Sequence, residues 1–534
     1  MASGDTDRIS ALPDDLLHAI LAGVGEATAV TRTAVLSKRW RRVWIHAHRL
    51  QLEDTKACRH ATPADCQFAG FVDWVLARRG DAGIGSLEIT MSRHDCCAST
   101  EQANEWIRYG VRRVAKSFSL ELPQLPSTGS RIIRRLRRRG LPPDDEADAP
   151  AAIVLPSHGR VASIMLELSR RLFQLPVAAA ARYEALTELM LYGAWFDEAA
   201  APGGGRTLGD FVSSCCPCLR NLDIMSPIGL PQLVIRSETL EVLELFFADD
   251  LHTLDVAAPS LCVLKLNLCF RDILGLSGNK DHAISKKVAR IAAPTPRLEE
   301  IEVDYFSGSR RPNLDLHDTA SVRRLSTLHL HMHGPYCSVD DELRLLEKCP
   351  GVEHIGVSLV HGTGATSGSL LDLTTEGAAL FANVRSMNVE APLFSGGQFV
   401  SSISSLLSRS HNENFLKYLG EVKISGFTGA EEEMDLVTLL FKSSNSIKSM
   451  TLSNIKARKR FKQEHRSGTK SFFSLFDDYD DDAEEEEDEV VVEAEEKKDD
   501  DEEEQAIIKQ ELMKIPSTDR GRWYFEEDEY TWMR

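Results

Sequence analysis

Apolar residues follow two different periods along this chain. In "SALPDDLLHAIL", Leu12, Leu16 and Ile20 fall four apart, with Leu17 and Leu21 beside them. That spacing predicts a helix with one apolar side. Pro13 suits a first helical position, and Asp14 and Asp15 suit the positive end of the helix dipole. After "GVGEAT" a second helical stretch is predicted, in which Leu36, Trp40 and Trp44 recur every four residues, joined by Val43. Lys38, Arg39, Arg41 and Arg42 take its other sides. About 50 residues is too few for a stable core, so this unit is expected to lean on a neighbour or partner.

A second pattern then takes over: apolar-x-x-apolar-x-apolar. It reads "LTELML" (Leu186, Leu189, Leu191), "LRNLDI" (Leu219, Leu222, Ile224) and "LEVLEL" (Leu240, Leu243, Leu245). It continues as "LHTLDV", "LCVLKL", "LEEIEV", "LSTLHL", "VEHIGV", "VRSMNV", "LGEVKI" and "IKSMTL". "IGSLEI" and "VASIML" are earlier, weaker copies. This is the leucine-rich-repeat signature, a short strand with two inward apolar residues and a third that anchors the preceding turn. "LHTLDV" starts 11 residues after "LEVLEL" and 10 before "LCVLKL". That is too close for three parallel neighbours with full crossovers. We therefore place it on the opposite side of the same coil.

Charge changes the picture only locally. The net charge is -19, but Asp477–Glu504 alone holds twenty acids and two lysines. The rest of the chain is close to neutral, so the charge does not point to nucleic acid. The acidic run is expected to be disordered, because like charges repel and little apolar area can be buried. "EEEQAIIKQELMKI" beyond it could form a short helix. Residues 127–150 read as an Arg-rich loop or linker. No run of about 18 apolar residues exists, so no membrane span is expected. The start, "MASGDTDRISALPDD", does not have the form of a secretory signal. Eleven scattered cysteines suit a reducing compartment better than a disulfide framework. The protein is expected to be intracellular, in nucleus, cytoplasm or both.

Candidate chemistry is sparse. "HLHMHGPYC" sets His329, His331 and His333 at alternate positions, on one face of a strand. Such clustering can bind metal, yet the sequence places no further ligand beside it, and a solvated or substrate-facing surface is the plainer reading. "CCPC" contains Cys215-x-x-Cys218 with no second pair to complete a zinc site. "RIIRRLRRR" (Arg131 to Arg139) and "KARKRFK" (456–462) suit a nuclear-import patch, a solvated loop or a partner for the acidic run. "GTGATSG" is no phosphate loop, and no His-Glu-x-x-His or Gly-x-Ser-x-Gly occurs. No metal or cofactor is expected, and no enzymatic activity.

These residues carry a resemblance. "ISALPDDLLHAILAGVGEATAVTRTAVLSKRWRRVW" resembles the F-box of plant F-box/leucine-rich-repeat proteins, through Leu12-Pro13-Asp14, Ile20-Leu21, Val30 and Val35-Leu36-Ser37-Lys38-Arg39-Trp40. "LGEVKISGFTGAEEEMDLVTLLFKSSNSIKSMTL" resembles the FBD module that often closes such proteins. The resemblance implies an α/β chain of four parts. A short helical F-box would span 8–50, a leucine-rich-repeat solenoid 80–410, an FBD-like module 411–455, and an acidic, largely disordered tail 456–534. In this family "Cys-Pro-x-Leu" commonly leads into a repeat strand, so the "CCPC" thiols are expected to be buried. By resemblance the F-box docks the Skp adaptor, and through it cullin, in a ubiquitin ligase. Leu12, Pro13, Ile20, Leu21, Leu36 and Trp40 would be the apolar anchors, with Lys38 and Arg39 meeting an acidic rim and Trp44 packing the core. The repeats would hold a target protein. The alternative is a repeat scaffold that engages no ligase. Membrane and nucleic acid are not expected partners.

Overall fold

A computed structural model describes residues 12–54, 67–92, 98–123, 151–177, 181–196, 206–270, 288–291, 295–304, 313–316, 319–331, 348–360, 383–390, 417–427, 429, 431–444, 446–454, 506–515, 521–525 and 529–534. They form two compact units, Met1–Thr295 with Arg311–His317, and Pro296–Arg310 with Asp318–Arg534. The fold is mixed α/β with many parallel strands, as the sequence implies.

The first unit opens on helices α1 (Asp14–Val24), α2 (Ala27–Arg32) and α3 (Trp40–Val43). Next come β1 (Arg49–Glu53), α4 (Phe68–Arg79), β2 (Ile84–Thr90), α5 (Thr100–Arg113) and β3 (Val114–Glu121). The chain continues through β4 (Ile153–Val154), β5 (Ser163–Gln174), β6 (Glu188–Trp195), α6 (Leu208–Cys215) and β7 (Asn221–Met225). Five short strands follow: β8 (Gln232–Arg236), β9 (Val242–Phe246), β10 (Thr253–Ala257), β11 (Val263–Asn267) and β12 (Val288–Ile291). β13 (Glu300–Asp304) lies in the second unit and β14 (Asn313–Leu316) returns to the first.

Eight of these strands make one parallel ladder in the order β1, β2, β3, β5, β6, β7, β9, β11. A second parallel sheet runs β8, β10, β12, β14. "LHTLDV" is β10, so it does leave the main ladder, and β9 pairs directly with β11. The two sheets bury what the triplets supply. Leu219, Leu222 and Ile224, then Leu240, Leu243 and Leu245, then Leu251, Leu254 and Val256 are all fully buried. Alternation does the rest, since neighbouring positions on each strand point the other way.

The turns keep the same period. Ser226, Phe247 and Leu268 follow β7, β9 and β11 at intervals of 21 residues, with φ of 49°, 53° and 54°. A non-glycine residue in that region is uncommon and carries strain. The turns at Ser226 and Phe247 extend the ladder: Ser226 N–H donates to Phe246 O, and Phe247 N–H to Asn267 O.

Two strands escaped the pattern. β3 carries Val114, Phe118 and Leu120, all buried, but one additional residue stretches the motif. The matching register shift falls between Ile84 and Ser86 of β2. β1 supplies only Leu50 and Leu52. Helix α5 seals the underside of β3. It starts from a capping box in which Ser99 and Gln102 bond reciprocally, and it buries Trp106 and Ile107. Gly110 lets it sit close, because a Cβ there would lie 2.3 Å from the Phe118 ring.

In the second unit, β13 is followed by β15 (Arg324–His331), β16 (His354–Val360), β17 (Ser386–Glu390), β18 (Glu421–Phe427) and β19 (Ser449–Asn454), all parallel. Helix α7 (Glu431–Ser443) crosses from β18 to β19 and buries Leu436, Val437 and Leu440. The repeat read as "LSTLHL" begins three residues early: Val322 and Leu325 are the buried pair, and Leu325 aligns with Ile301. A bulge between Leu325 and Leu328 produced the false start.

The C-terminal stretch needs a correction. Beyond residue 505 the described residues are not a disordered tail. Residues 506–514 are helical, as "EEEQAIIKQELMKI" suggests, with Ile508 and Leu512 buried. β20 (Arg522–Phe525) and β21 (Glu529–Met533) then form an antiparallel hairpin whose second strand pairs with β19. Tyr530 is fully buried, and Trp532 is buried with its ring edge-on to Phe441 at 4.8 Å. Alternation of Tyr530 and Trp532 marks that strand, but the acidic neighbourhood hid it. The acidic run, residues 127–150 and "KARKRFK" lie outside the described residues.

Candidate functional site

The N-terminal helices decide which apolar residues pack and which stand free. Helix α1 starts where Leu16 and Leu17 N–H groups reach Pro13 O, and it stops at Gly25, whose φ of 67° suits glycine. Glu26 caps α2, its carboxylate accepting from Thr28 N at 2.6 Å and Ala29 N at 2.7 Å. This cap had no sequence signal as a favoured cap residue. The stretch after it is not one helix. A 3-10 turn spans Thr33–Val35, α3 covers only Trp40–Val43, and a second 3-10 turn follows at Trp44–His46.

That break corrects the predicted stripe. Leu36, Trp40 and Trp44 do not share a face: Leu36 is 64% exposed, Trp40 5% and Trp44 2%. Trp40 therefore packs the core with Leu17, Leu21, Val30 and Val43. Trp44 is core as expected. It stacks on Trp74 of α4 at 5.6 Å, and Arg79 of that helix donates to Trp44 O. The N-terminal unit thus leans on its neighbour, also through β1, whose Gln51 N–H donates to Gly25 O.

Of the eight expected adaptor-binding residues, Leu21 and Trp40 are buried in the free chain and act as packing residues there. Pro13, Ile20, Leu36 and Lys38 are exposed, and Leu12 is partly so. Arg39 is engaged internally: its Nε lies 2.8 Å and its Nη2 2.5 Å from Asp14 Oδ1, and Nη2 also donates to Leu12 O. So Arg39 holds the 36–39 turn against the start of α1 and is not a free rim charge. Three exposed residues were missed. Leu16 and Val24 flank Ile20 at four-residue spacing on α1, and Val35 precedes Leu36 with 82% exposure. The spacing of Leu16 was visible; what was not visible was that the apolar side of α1 has two edges, Leu17 and Leu21 inward, Leu16, Ile20 and Val24 outward.

Next to this surface His18 faces His46 and His48, with ring centroids 5.9 and 6.1 Å away. Burial first, and then the two other imidazoles, push its pKa below the usual histidine range, against the pull of Asp14 and Asp15. Among the described residues no group of His, Cys, Asp and Glu is arranged to hold a metal ion. His329 and His331 lie on β15, and His333 falls outside the described residues. Cys215 and Cys216 are buried and Cys218 is exposed. Burial raises the pKa of both buried thiols, which disfavours the thiolates that zinc needs. No described helix is long and apolar enough to cross a membrane.

A second surface of the first unit is the outward face of the eight-stranded ladder. Its outward side chains align across the strands in three rows. The middle row runs Gln51, Glu88, Ser119, Met165, Met190, Asp223, Glu244, Lys265. Lys265 pairs with Glu244 at 2.8 Å, and the Tyr192 hydroxyl donates to Asp223 Oδ2 at 2.7 Å. Asp223 Oδ1 is buried and has no hydrogen-bond partner among the described residues. Burial, reinforced by Glu244, pushes the Asp223 carboxyl up to about 6, against the Tyr192 hydrogen bond and Lys265.

An exposed apolar edge on a short N-terminal helical unit, followed by parallel strands from leucine triplets, agrees with what comparison finds. The chain is similar to plant F-box proteins. It is 32% identical over 119 residues to an F-box protein of Arabidopsis thaliana, covering 22% of this chain and 34% of that protein. It is 52% identical over 48 residues to F-box/LRR-repeat protein 25 of the same plant, 9% of this chain and 19% of the relative. An Arabidopsis F-box/FBD/LRR-repeat protein matches at 32% over 114 residues, 21% of this chain and 26% of the relative. The chain thus spans about a third or less of the length of these curated relatives. No family model matches it.

Proposed function

We propose that this chain is a substrate-recognition subunit of a Skp–cullin–F-box ubiquitin ligase. The N-terminal helices dock the Skp adaptor, and the parallel-strand body, read as a leucine-rich-repeat solenoid, holds a protein destined for ubiquitination. The chain itself is non-enzymatic, intracellular, and needs no cofactor. The observation that carries this reading is the apolar set left outside a packed helical core. Leu16, Ile20 and Val24 are each about half exposed on one helix, and Val35 and Leu36 more so. Burying a few aliphatic side chains is how interfaces gain most of their energy. The same exposure disfavours a scaffold that hides these helices against its own repeats.

The test is a titration of purified Skp adaptor against the intact protein and against Leu16→Ala/Leu36→Ala. Tight binding by the intact chain, lost in a variant that still folds, supports the reading. A folded intact chain that does not bind the adaptor overturns it and leaves the scaffold in front.

A further inference from the structure

We propose that His18, His46 and His48 form a proton-sensitive latch, which holds helix α1 on the start of the strand body when neutral and loosens it on mild acidification, so that adaptor docking is gated by pH. The gating rests on the reading that α1 docks an adaptor; the latch does not. His18 lies on α1, His46 ends the second 3-10 turn, and His48 directly precedes β1. The His18 ring is tilted against His46 at 5.9 Å and edge-on to His48 at 6.1 Å. Buried neighbours pin all three. Leu17 beside His18, and Ala47 between His46 and His48, are fully buried. The His46–His48 side is tied to the body: Ala47 N–H donates to Trp44 O, and His48 O accepts from Gly85 N and Ser86 N of β2. Imidazole is the side chain whose charge changes nearest neutral pH. Neutral rings pack at this spacing, whereas imidazolium rings repel.

The surrounding charges give little relief. Asp14 and Asp15 of its own helix act on His18, as do His46 from the turn and His48 from the approach to β1. Both carboxylates belong to exposed residues, and Asp14 is engaged by Arg39 at the start of α3. Helix α2 brings Glu26, whose carboxylate is occupied by Thr28 N and Ala29 N. Strand β1 brings Arg49, a further cation next to His48 in sequence. Burial and the two imidazoles outweigh the acids and hold the His18 pKa below the usual range. The unfolded chain therefore binds this proton more readily than the folded one. The His18 contribution to stability is complete above about pH 6.5 and is lost as pH falls below it. Asp223 works in the opposite sense, since its raised pKa favours the folded chain as pH falls. Weakening on acidification thus belongs to α1 and not to the strands around Asp223. Leu16 and Ile20 of the exposed apolar edge lie two residues either side of His18, so loosening α1 displaces the surface that the adaptor would use.

The experiment follows hydrogen exchange of α1 in the full chain between pH 7.5 and 5.5, corrected for the intrinsic pH dependence of exchange, with β7 as internal reference. In the wild type we expect protection of α1 to fall roughly threefold to tenfold over this range while β7 keeps its protection. His18→Gln should flatten that dependence. So should His46→Gln/His48→Gln, which changes only exposed residues and therefore keeps the fold. Adaptor affinity, titrated in parallel, should weaken by a similar factor in the wild type and stay level in both variants. An α1 whose protection does not fall, or falls equally in wild type and variants, overturns the latch. Protection that falls while adaptor affinity stays level overturns the gating. If the adaptor binds at no pH while α1 still loosens through its histidines, the ligase reading falls and the latch stands.

Discussion

Leu36 and Trp40 sit four residues apart, and truncating each should have opposite consequences. Leu36 is 64% exposed. Full burial of a leucine side chain is worth about 1.5–3 kcal/mol, so roughly 1–2 kcal/mol is left for a partner to gain at this site. Leu36→Ala should therefore leave stability within about 0.5 kcal/mol and weaken the adaptor complex by roughly five- to thirtyfold. Trp40 is 5% exposed and has little left to offer a partner. Trp40→Ala removes a core indole and should cost about 3–5 kcal/mol of folding stability. Its adaptor binding should fall only as far as the N-terminal helices unfold. The assay pairs calorimetric titration of the adaptor with hydrogen exchange across residues 14–46 in each variant. A Trp40→Ala protein that keeps native protection yet loses the adaptor, beside a Leu36→Ala protein that binds normally, would refute this division. It would mean that Trp40 turns outward in the complex.

Other predictions follow from the same structure. Asp223 has a folded-state pKa raised to about 6, so the unfolded chain releases this proton at lower pH, and stability falls as pH rises from about 4 to 6. Asp223→Asn should melt higher than wild type at pH 7.5, with the gap closing by pH 4; a constant gap would refute it. Gly110→Ala forces a methyl into the Phe118 ring, and a loss of about 1–3 kcal/mol is expected in urea unfolding. A neutral result would mean α5 slides freely on β3. Trp532→Ala should destabilise the second unit by about 3–5 kcal/mol and bare the edge of β19, read as faster exchange there and as self-association in light scattering. Unchanged exchange in β19 would show that the hairpin is not what closes the sheet.

Fold class was legible because period-2 alternation acts locally. A triplet such as Leu240, Leu243, Leu245 needs only its own strand to face inward, and the displaced "LHTLDV" could be assigned from chain length alone. Two kinds of feature resisted. Extra residues in β3 and β15 shifted the motif, since a bulge changes spacing without changing which side chains are buried. The C-terminal hairpin was masked by acidic residues nearby in sequence that say nothing about pairing 76 residues away, where Ser453 meets Glu529.

The N-terminal site divides along the same line. By itself, the sequence determined that residues 12–44 hold too many aliphatic and aromatic side chains for a solvated segment, and it placed α1 with one apolar side in that stretch. Only the tertiary structure decided which edge is spent on folding. The chain breaks between Val35 and Trp40, the Asp14–Arg39 contact fixes the turn, and Trp44 is claimed by Trp74 of a distant helix. Burial is shared among elements far apart in sequence, so no local period can say whether a given leucine or tryptophan ends inside the core or outside it.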